Sequence, residues 1–271
     1  LNPLVSAGRI VLAVLIYFLF AFLASFVIKR FGGSIKQMEE RGKGVVPLVG
    51  TVANLVILAV VLLLFMVLDK RTPTELGIGF RLQDVIFTLS AAAVTVILAV
   101  AYVYAVSRAQ QHRIERQIPS SQKDSARVLL LIVGLLLAVS AQEEVLFRGY
   151  VVANLNMTTA FWIIVISTAI FVLIHLPTNR VGISQVASWI LGGLLLVTVY
   201  LVSGSIWVAI AVHFVTDFTN VLVFDVAGEG SIYRFTPPLG AAHRAWFRVI
   251  QTVVSFGLMI AVYGLKFNYA L

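Results

Sequence analysis

Between residues 128 and 224 the ionisable side chains are few: Glu143, Glu144, Arg148, Arg180 and Asp217, with His175 and His213. Arg180 follows Pro177 in a connection, and the other six lie within or beside strongly apolar stretches. A charge at the centre of a membrane helix costs at least ~2.5 kcal/mol on insertion scales. These six groups must therefore face one another or water, and not lipid. Helical spacing sorts them. Glu144 and Arg148 are i,i+4 and share a face, so they can pair. Glu143 lies about 100° round the helix and points elsewhere. His213 and Asp217 are also i,i+4, with Asn220 one turn further on the same side, and Phe171 and His175 repeat the spacing on a third helix.

These residue types support a short menu of chemistry. A glutamate beside a histidine can take a proton from water and make it nucleophilic. His213 with Asp217 can donate hydrogen bonds to a developing oxyanion. Alternatively, Glu143, His175 and His213 could hold a divalent metal. The zinc-protease string H-E-x-x-H is missing, because neither His175 nor His213 is followed by Glu, and there is no G-x-S-x-G elbow. Ser203-Gly204-Ser205 has the composition for a serine nucleophile, but Ser-Gly between two apolar runs reads as a turn. With no cysteine, there is no thiolate chemistry and no disulfide framework.

The elements that position these groups follow from composition. Of 271 residues, 60% are hydrophobic and 12% charged, with mean hydropathy +1.00. A soluble domain carries roughly 25% charge, so a water-soluble globule is excluded, as is a disordered chain. The expectation is an all-α, polytopic integral membrane protein. About eight transmembrane helices fit the length at ~20 residues each. The apolar runs are 10–28, 45–68, 85–107, 128–144, 160–176, 185–202, 205–224 and 246–265. Nothing alternates like the strands of an outer-membrane barrel. The sequence begins at Leu1 and not at Met, which reads as a trimmed or processed start. The run 10–28 is too long for a signal-peptide core and reads as the first span.

The division expected is residues 1–127 for helices 1–3, 128–224 for the core and 225–271 for a loop and the last helix, all one membrane domain. The net charge of +8 marks loops facing anionic lipid, with no motif for nucleic acid. Most Lys and Arg fall in the 29–44, 108–127 and 225–245 connections, which places these in the cytoplasm and both termini outside. A multi-pass protein of a prokaryotic cytoplasmic membrane is the setting expected. Helices 1, 2, 3 and 8 carry no comparable polar set and should form a lipid-facing jacket. Helices 4, 5 and 7 should enclose a polar cleft. Glu143 lies roughly 22 Å beyond residue 128 at 1.5 Å per residue, whereas His175 ends its own span. The expected remedy is that segment 143–159 turns back, using Gly149 and residues 154–159, as irregular backbone can where it lines a cavity.

The strings Glu143-Glu144-x-x-x-Arg148, Phe171-x-x-x-His175 and His213-x-x-x-Asp217 resemble the three motifs of the CAAX protease and bacteriocin-processing family, also called the Abi family. Phe147-Arg148-Gly149-Tyr150, Leu191-Gly192-Gly193 and Ser203-Gly204-Ser205-Ile206 agree as flanks, and Glu75-Leu76-Gly77-Ile78 looks like the short element before the core. The resemblance covers about residues 128–224. It implies an eight-helix membrane endopeptidase in which Glu143 and His175 activate water. His213 and Asp217 would form the oxyanion site, and the Glu144–Arg148 ion pair would support the cleft. The family's best-known branch cleaves prenylated proteins after the modified cysteine, and others mature or export peptides. That branch has Asn where this chain has Asp217. An ionised Asp repels an oxyanion, so Asp217 must be protonated or must orient His213 as a carboxylate orients histidine in other hydrolases. The departure argues against a CAAX substrate more than against activity.

Plainer roles stand beside these. Glu143, Glu144 and Arg148 could fix packing, His175 could cap a helix before Pro177, and His213 with Asp217 could clasp two helices. Asn220 reads as packing. Gly192 and Gly193 read as a close helix approach, and Trp162, Trp207 and Trp246 as interfacial anchors. Segment 31–44 reads as a solvated or lipid-surface helix, and His112 and His243 are assigned nothing. Three functions remain: an endopeptidase acting on a membrane-associated peptide or protein; a silent relative serving a partner membrane protein as an accessory, immunity or regulatory subunit; and a small transporter, which would call for matching broken helices in two halves. No cofactor is expected, apart from the metal alternative above.

Overall fold

The computed structural model describes residues 2–32, 45–79, 81–110, 113–116, 122–155, 158–176, 182–223, 233–237 and 240–264. The polar segment 33–44, His112, Pro177, Arg180 and residues 224–232 lie outside them. The chain is an all-α polytopic membrane protein. Its helices are α1 (Pro3–Gly32), α2 (Val45–Val67), α3 (Leu82–Gln110), α4 (Gln122–Glu144), α5 (Ala160–His175), α6 (Ile183–Ser203), α7 (Ile206–Asp217) and α8 (Ala241–Tyr263). Two strands, β1 (Arg113–Arg116) and β2 (Tyr233–Thr236), pair antiparallel with Ile114 opposite Phe235. This ribbon is an addition to the all-helical expectation, anchored where Phe235 packs on Val103 and Val106 of α3.

Among the described residues, six helices are long and apolar enough to cross a membrane, and two more are apolar but short: Ala160–His175 and Ile206–Asn220. At 1.5 Å per residue, the 16 residues of α5 span about 24 Å, less than the ~30 Å hydrocarbon core. Both are shorter than the other apolar helices. These two carry His175, His213 and Asp217.

The described residues group into two compact units, 1–76 with 119–157, and 77–118 with 158–271. In the first, α2 packs on both α1 and α4. Helix α4 does not end at its carboxylates. It continues as a π-helical turn, Val145–Val151, and a last α-turn, Val152–Asn154, so that one span runs Leu129–Asn154. The reversal expected over 143–159 therefore does not occur up to Asn154. The charges interrupt the apolar pattern but not the helix, because Glu144 and Arg148 pair with each other inside it. Glu143 consequently sits near the middle of its span and not at its end. Gly149 makes room for the turn: a Cβ there would meet Leu76 Cδ2 at 2.8 Å.

Polar contacts fasten the end of this span. Asp69, almost fully enclosed, binds Arg9 of α1 at 2.9 Å and accepts a hydrogen bond from Asn154 Nδ2 at 2.9 Å. Arg9 also donates to the Leu68 carbonyl. Next to it lies a short 3₁₀ turn, Pro73–Leu76, with Pro at the first position, where the Thr72 N–H donates to Glu75 Oε1 at 2.9 Å.

In the second unit α6 packs on α5, α7 and α8, and α3 packs on α7 and α8. Phe87, Leu196, Val199, Val208, Val212 and Met259 belong to its continuous apolar core. The turn between α6 and α7 is held by a distant segment. Gly204 closes α6 with φ +65. Ile206 N–H donates to the Gly77 carbonyl at 3.0 Å, Ser205 Oγ to that of Gly79 at 3.0 Å and Trp207 Nε1 to that of Ile78 at 3.1 Å. Arg81 donates to the Ser203 carbonyl and pairs with Asp84, which is fully enclosed and also accepts from Tyr263 Oη at 2.8 Å. The hydroxyls of Ser203 and Ser205 are thus turn-forming groups.

The lipid-facing jacket needs a correction. Leu15, Leu19, Phe22, Leu55, Leu89, Ile97 and Val253 are exposed apolar side chains on α1, α2, α3 and α8. Yet α3 buries Asp84 and α8 buries Gln251, and Asp69 is buried just beyond α2. A carboxylate at a helix terminus reads as a stop signal in sequence, and only the fold shows it turned inward. Trp162, Trp207 and Trp246 are exposed, as anchors require.

Gly77 combines φ +70 with backbone contact, since a Cβ would lie 1.9 Å from the Gly204 carbonyl oxygen, whereas a Cβ at Gly79 meets nothing within 4 Å. Gly77→Ala should cost at least ~2 kcal/mol, from left-handed strain plus displacement of the turn. Gly79→Ala should be within ~0.5 kcal/mol of wild type. Thermal unfolding in detergent compares the two directly, and equal midpoints would show that the docking does not support the fold.

Candidate active site

The first unit carries Glu143, Glu144 and Arg148, and the second carries Phe171, His175, His213, Asp217 and Asn220. Each set is built by its own helices.

Arg148 Nη1 lies 3.1 Å from Glu144 Oε1, with both side chains sealed from solvent. The pair begins at the last α-helical residue and ends inside the π turn. Wider π winding lets residues four apart stand more nearly in line along the helix than α winding does. Glu143 is buried as well but keeps 7% of its surface. Both carboxylates lie within electrostatic reach of the guanidinium, and the Tyr17 phenol of α1 lies within reach of Glu143. Two adjacent carboxylates thus differ in kind. Glu144 pairs with Arg148 within the helix, while Glu143 lies about 100° away.

On α5, the His175 ring is fixed from two sides. Its Nδ1 lies 2.6 Å from the Phe171 carbonyl oxygen, one turn earlier. A carbonyl can only accept, so Nδ1 carries the proton and Nε2 holds the lone pair of the neutral ring. Phe171 and Trp189 of α6 flank the imidazole with ring centroids at 4.6 and 5.2 Å. The F-x-x-x-H string thus has a physical content: Phe171 sets both the tautomer, by its carbonyl, and the ring plane, by its side chain. Gly193 permits this, since a Cβ there would stand 3.1 Å from Thr168 Cγ2 and 3.3 Å from Phe171 Cδ1. Gly192 has open space around it, so the close approach belongs to Gly193 alone. Trp189 was not legible as a site residue, because nothing in sequence tells which turn of α6 meets His175.

On α7, His213 Nε2 lies 3.3 Å from Asp217 Oδ2. His213 is nearly enclosed, whereas the Asp217 side chain is 31% exposed. The two form an ion pair when His213 is protonated. Asn220, one turn further on, donates through Nδ2 to Gln251 Oε1 of α8 at 2.9 Å. Beyond Asp217 the helix continues as a π turn, Phe218–Val223. Helix α4 thus passes into π winding within its motif and α7 directly after its motif, a feature common at functional sites.

Among the described residues, no three His, Cys, Asp or Glu side chains gather closely enough to share a metal ion. What each set can do is acid–base chemistry: a carboxylate that keeps a little of its surface, a histidine with a fixed tautomer, and a histidine beside a carboxylate.

Residues 125–219 match the family model described as type II CAAX prenyl endopeptidase Rce1-like. This is the CAAX protease family that the three motifs indicate, and the match takes in Glu143 through Asp217. No curated protein and no solved structure matches the chain.

Proposed function

We propose that this chain, a multi-pass membrane protein whose residues 125–219 match the Rce1-like CAAX protease family, is an intramembrane endopeptidase acting on a membrane-associated peptide or protein. Glu143 takes the proton of the attacking water, with His175 Nε2 as its acid–base partner. His213, protonated on both ring nitrogens, donates its Nδ1–H to the oxyanion that forms on the scissile carbonyl while Nε2 faces Asp217. Asp217 holds His213 in the orientation that lets it do so. Glu144 and Arg148 keep the π turn in place, and Phe171 positions His175. A prokaryotic cytoplasmic membrane is the setting we infer, from the basic connections.

The observation that carries this reading is the division between the two carboxylates: Glu144 is sealed and ion-paired to Arg148, whereas Glu143 keeps 7% of its surface. A packing role accounts for the Glu144–Arg148 pair, and the chemistry is assigned to the neighbouring Glu143.

Asp217 offers a separate test. As the orienting carboxylate, its removal in Asp217→Ala should lower kcat about a hundredfold. Asp217→Asn, which can still hold the ring by its carbonyl, should retain more. Cleavage of prenylated and unmodified membrane-tethered peptides by purified variants measures this. Faster cleavage of the prenylated peptide by Asp217→Asn, with Asp217→Ala unchanged, would remove the orienting role.

A silent accessory subunit is the second reading, favoured by the fact that each pair lies within one helix and can stabilise that helix without any chemistry. It predicts a stoichiometric membrane partner on purification and full function after Glu143→Gln.

A further inference from the structure

Three buried polar groups, two in the π turn that follows α7 and one on α8, have no part in the chemistry above. Asn220 and Gln251 are each 4% exposed and Thr219 is 1% exposed. One amide–amide bond joins Asn220 Nδ2 to Gln251 Oε1. It leaves an acceptor, Asn220 Oδ1, and a donor, Gln251 Nε2, and neither has a hydrogen-bond partner among the described residues. Turning both amides over leaves one donor and one acceptor again, so the imbalance does not depend on their assignment. Thr219 Oγ1, in the same π turn, is likewise unpartnered among the described residues. Each buried polar atom left unmade costs ~1–3 kcal/mol. Three on neighbouring residues and one facing helix point to an occupant that can both donate and accept.

The burial limits its size. A peptide segment would need a groove that side chains only a few per cent exposed do not offer, and a cation would find neutral oxygens without a carboxylate. Water fits, since it donates and accepts, and buried waters settle where two to four polar partners meet.

We propose that Thr219, Asn220 and Gln251 bind internal water, and that this site supplies the water consumed in peptide hydrolysis. The second half rests on the endopeptidase reading. Hydrolysis adds one water across the C–N bond, with OH going to the acyl carbon and H to the leaving amine. The hydrocarbon core holds almost none, so a reaction at membrane depth needs a polar route. His213, Asp217 and Asn220 recur along one side of α7, and Gln251 extends that line onto α8. Ser255, buried one turn further along α8, continues it.

The double variant Asn220→Leu with Gln251→Met tests the supply in the full-length protein in nanodiscs. Removing both partners of a hydrogen bond together is nearly neutral for folding, so the unfolding midpoint should not fall. The kcat for a membrane-tethered peptide should fall about tenfold with KM within about twofold. An unchanged kcat overturns the supply role. The water itself is read independently of activity, by water-to-amide magnetisation transfer at the Gln251 side chain in protein labelled with ¹⁵N-glutamine. A signal lost in Asn220→Leu supports the site, and no signal in wild type overturns it. If wild type and Glu143→Gln are equally inactive on every peptide, the endopeptidase reading fails and the supply role with it, while the magnetisation transfer still decides whether water is bound.

Discussion

Glu143→Gln should yield a folded, membrane-inserted protein that cleaves peptide bonds at least about 10³-fold more slowly than wild type. The exchange keeps size and hydrogen-bonding capacity and removes basicity, since a carboxamide cannot take a proton from water at neutral pH. It leaves the Glu144–Arg148 pair, 3.1 Å apart, untouched, so the unfolding midpoint should stay near that of wild type. Peptide release from proteoliposomes, measured beside thermal unfolding, separates chemistry from folding. Comparable peptide profiles from cells carrying wild type and Glu143→Gln would end the enzyme reading. The neighbouring exchange, Glu144→Gln, should behave in the opposite sense: it strands a sealed guanidinium, and its main effect should be on stability.

Arg148→Leu should destabilise the protein by about 3–5 kcal/mol, the usual cost of leaving one member of a buried ion pair without the other. Both side chains are at most 1% exposed, so no solvent takes over the role of the guanidinium. The double variant Glu144→Leu with Arg148→Leu should recover most of the loss, because a buried pair replaced by apolar groups of similar volume is often neutral or better. Denaturant titration in mixed micelles yields the coupling between the two positions. A neutral Arg148→Leu would mean that the pair does not hold the π turn. A recovered double variant that remains inactive would place the value of the pair in positioning Glu143 and not in stability.

These expectations rest on features that were unequally legible in the chain. Scarcity of charge gave away the membrane, and i,i+4 spacing gave away each local pair, because both are properties of one helix and its solvent. The pairs Glu144–Arg148, Phe171–His175 and His213–Asp217 therefore form as their spacing requires. The lengths of the spans were less legible. Hydropathy ended the fourth span at its carboxylates, yet the helix runs on to Asn154, because the charge is compensated by a residue one turn ahead. Hydropathy averages charges singly and cannot credit their pairing.

By itself the sequence determined the class of protein, the three motifs and the partners within each helix, since helical geometry and the cost of charge in lipid leave few alternatives. Only the tertiary structure decided which distant groups share a helix end or a turn. Asp69 meets Arg9 and Asn154, Gly77 meets Gly204, His175 meets Trp189 and Asn220 meets Gln251. Those contacts depend on how helices are rotated and offset against one another. That is set by the close packing of many apolar side chains at once, and no local pattern encodes it.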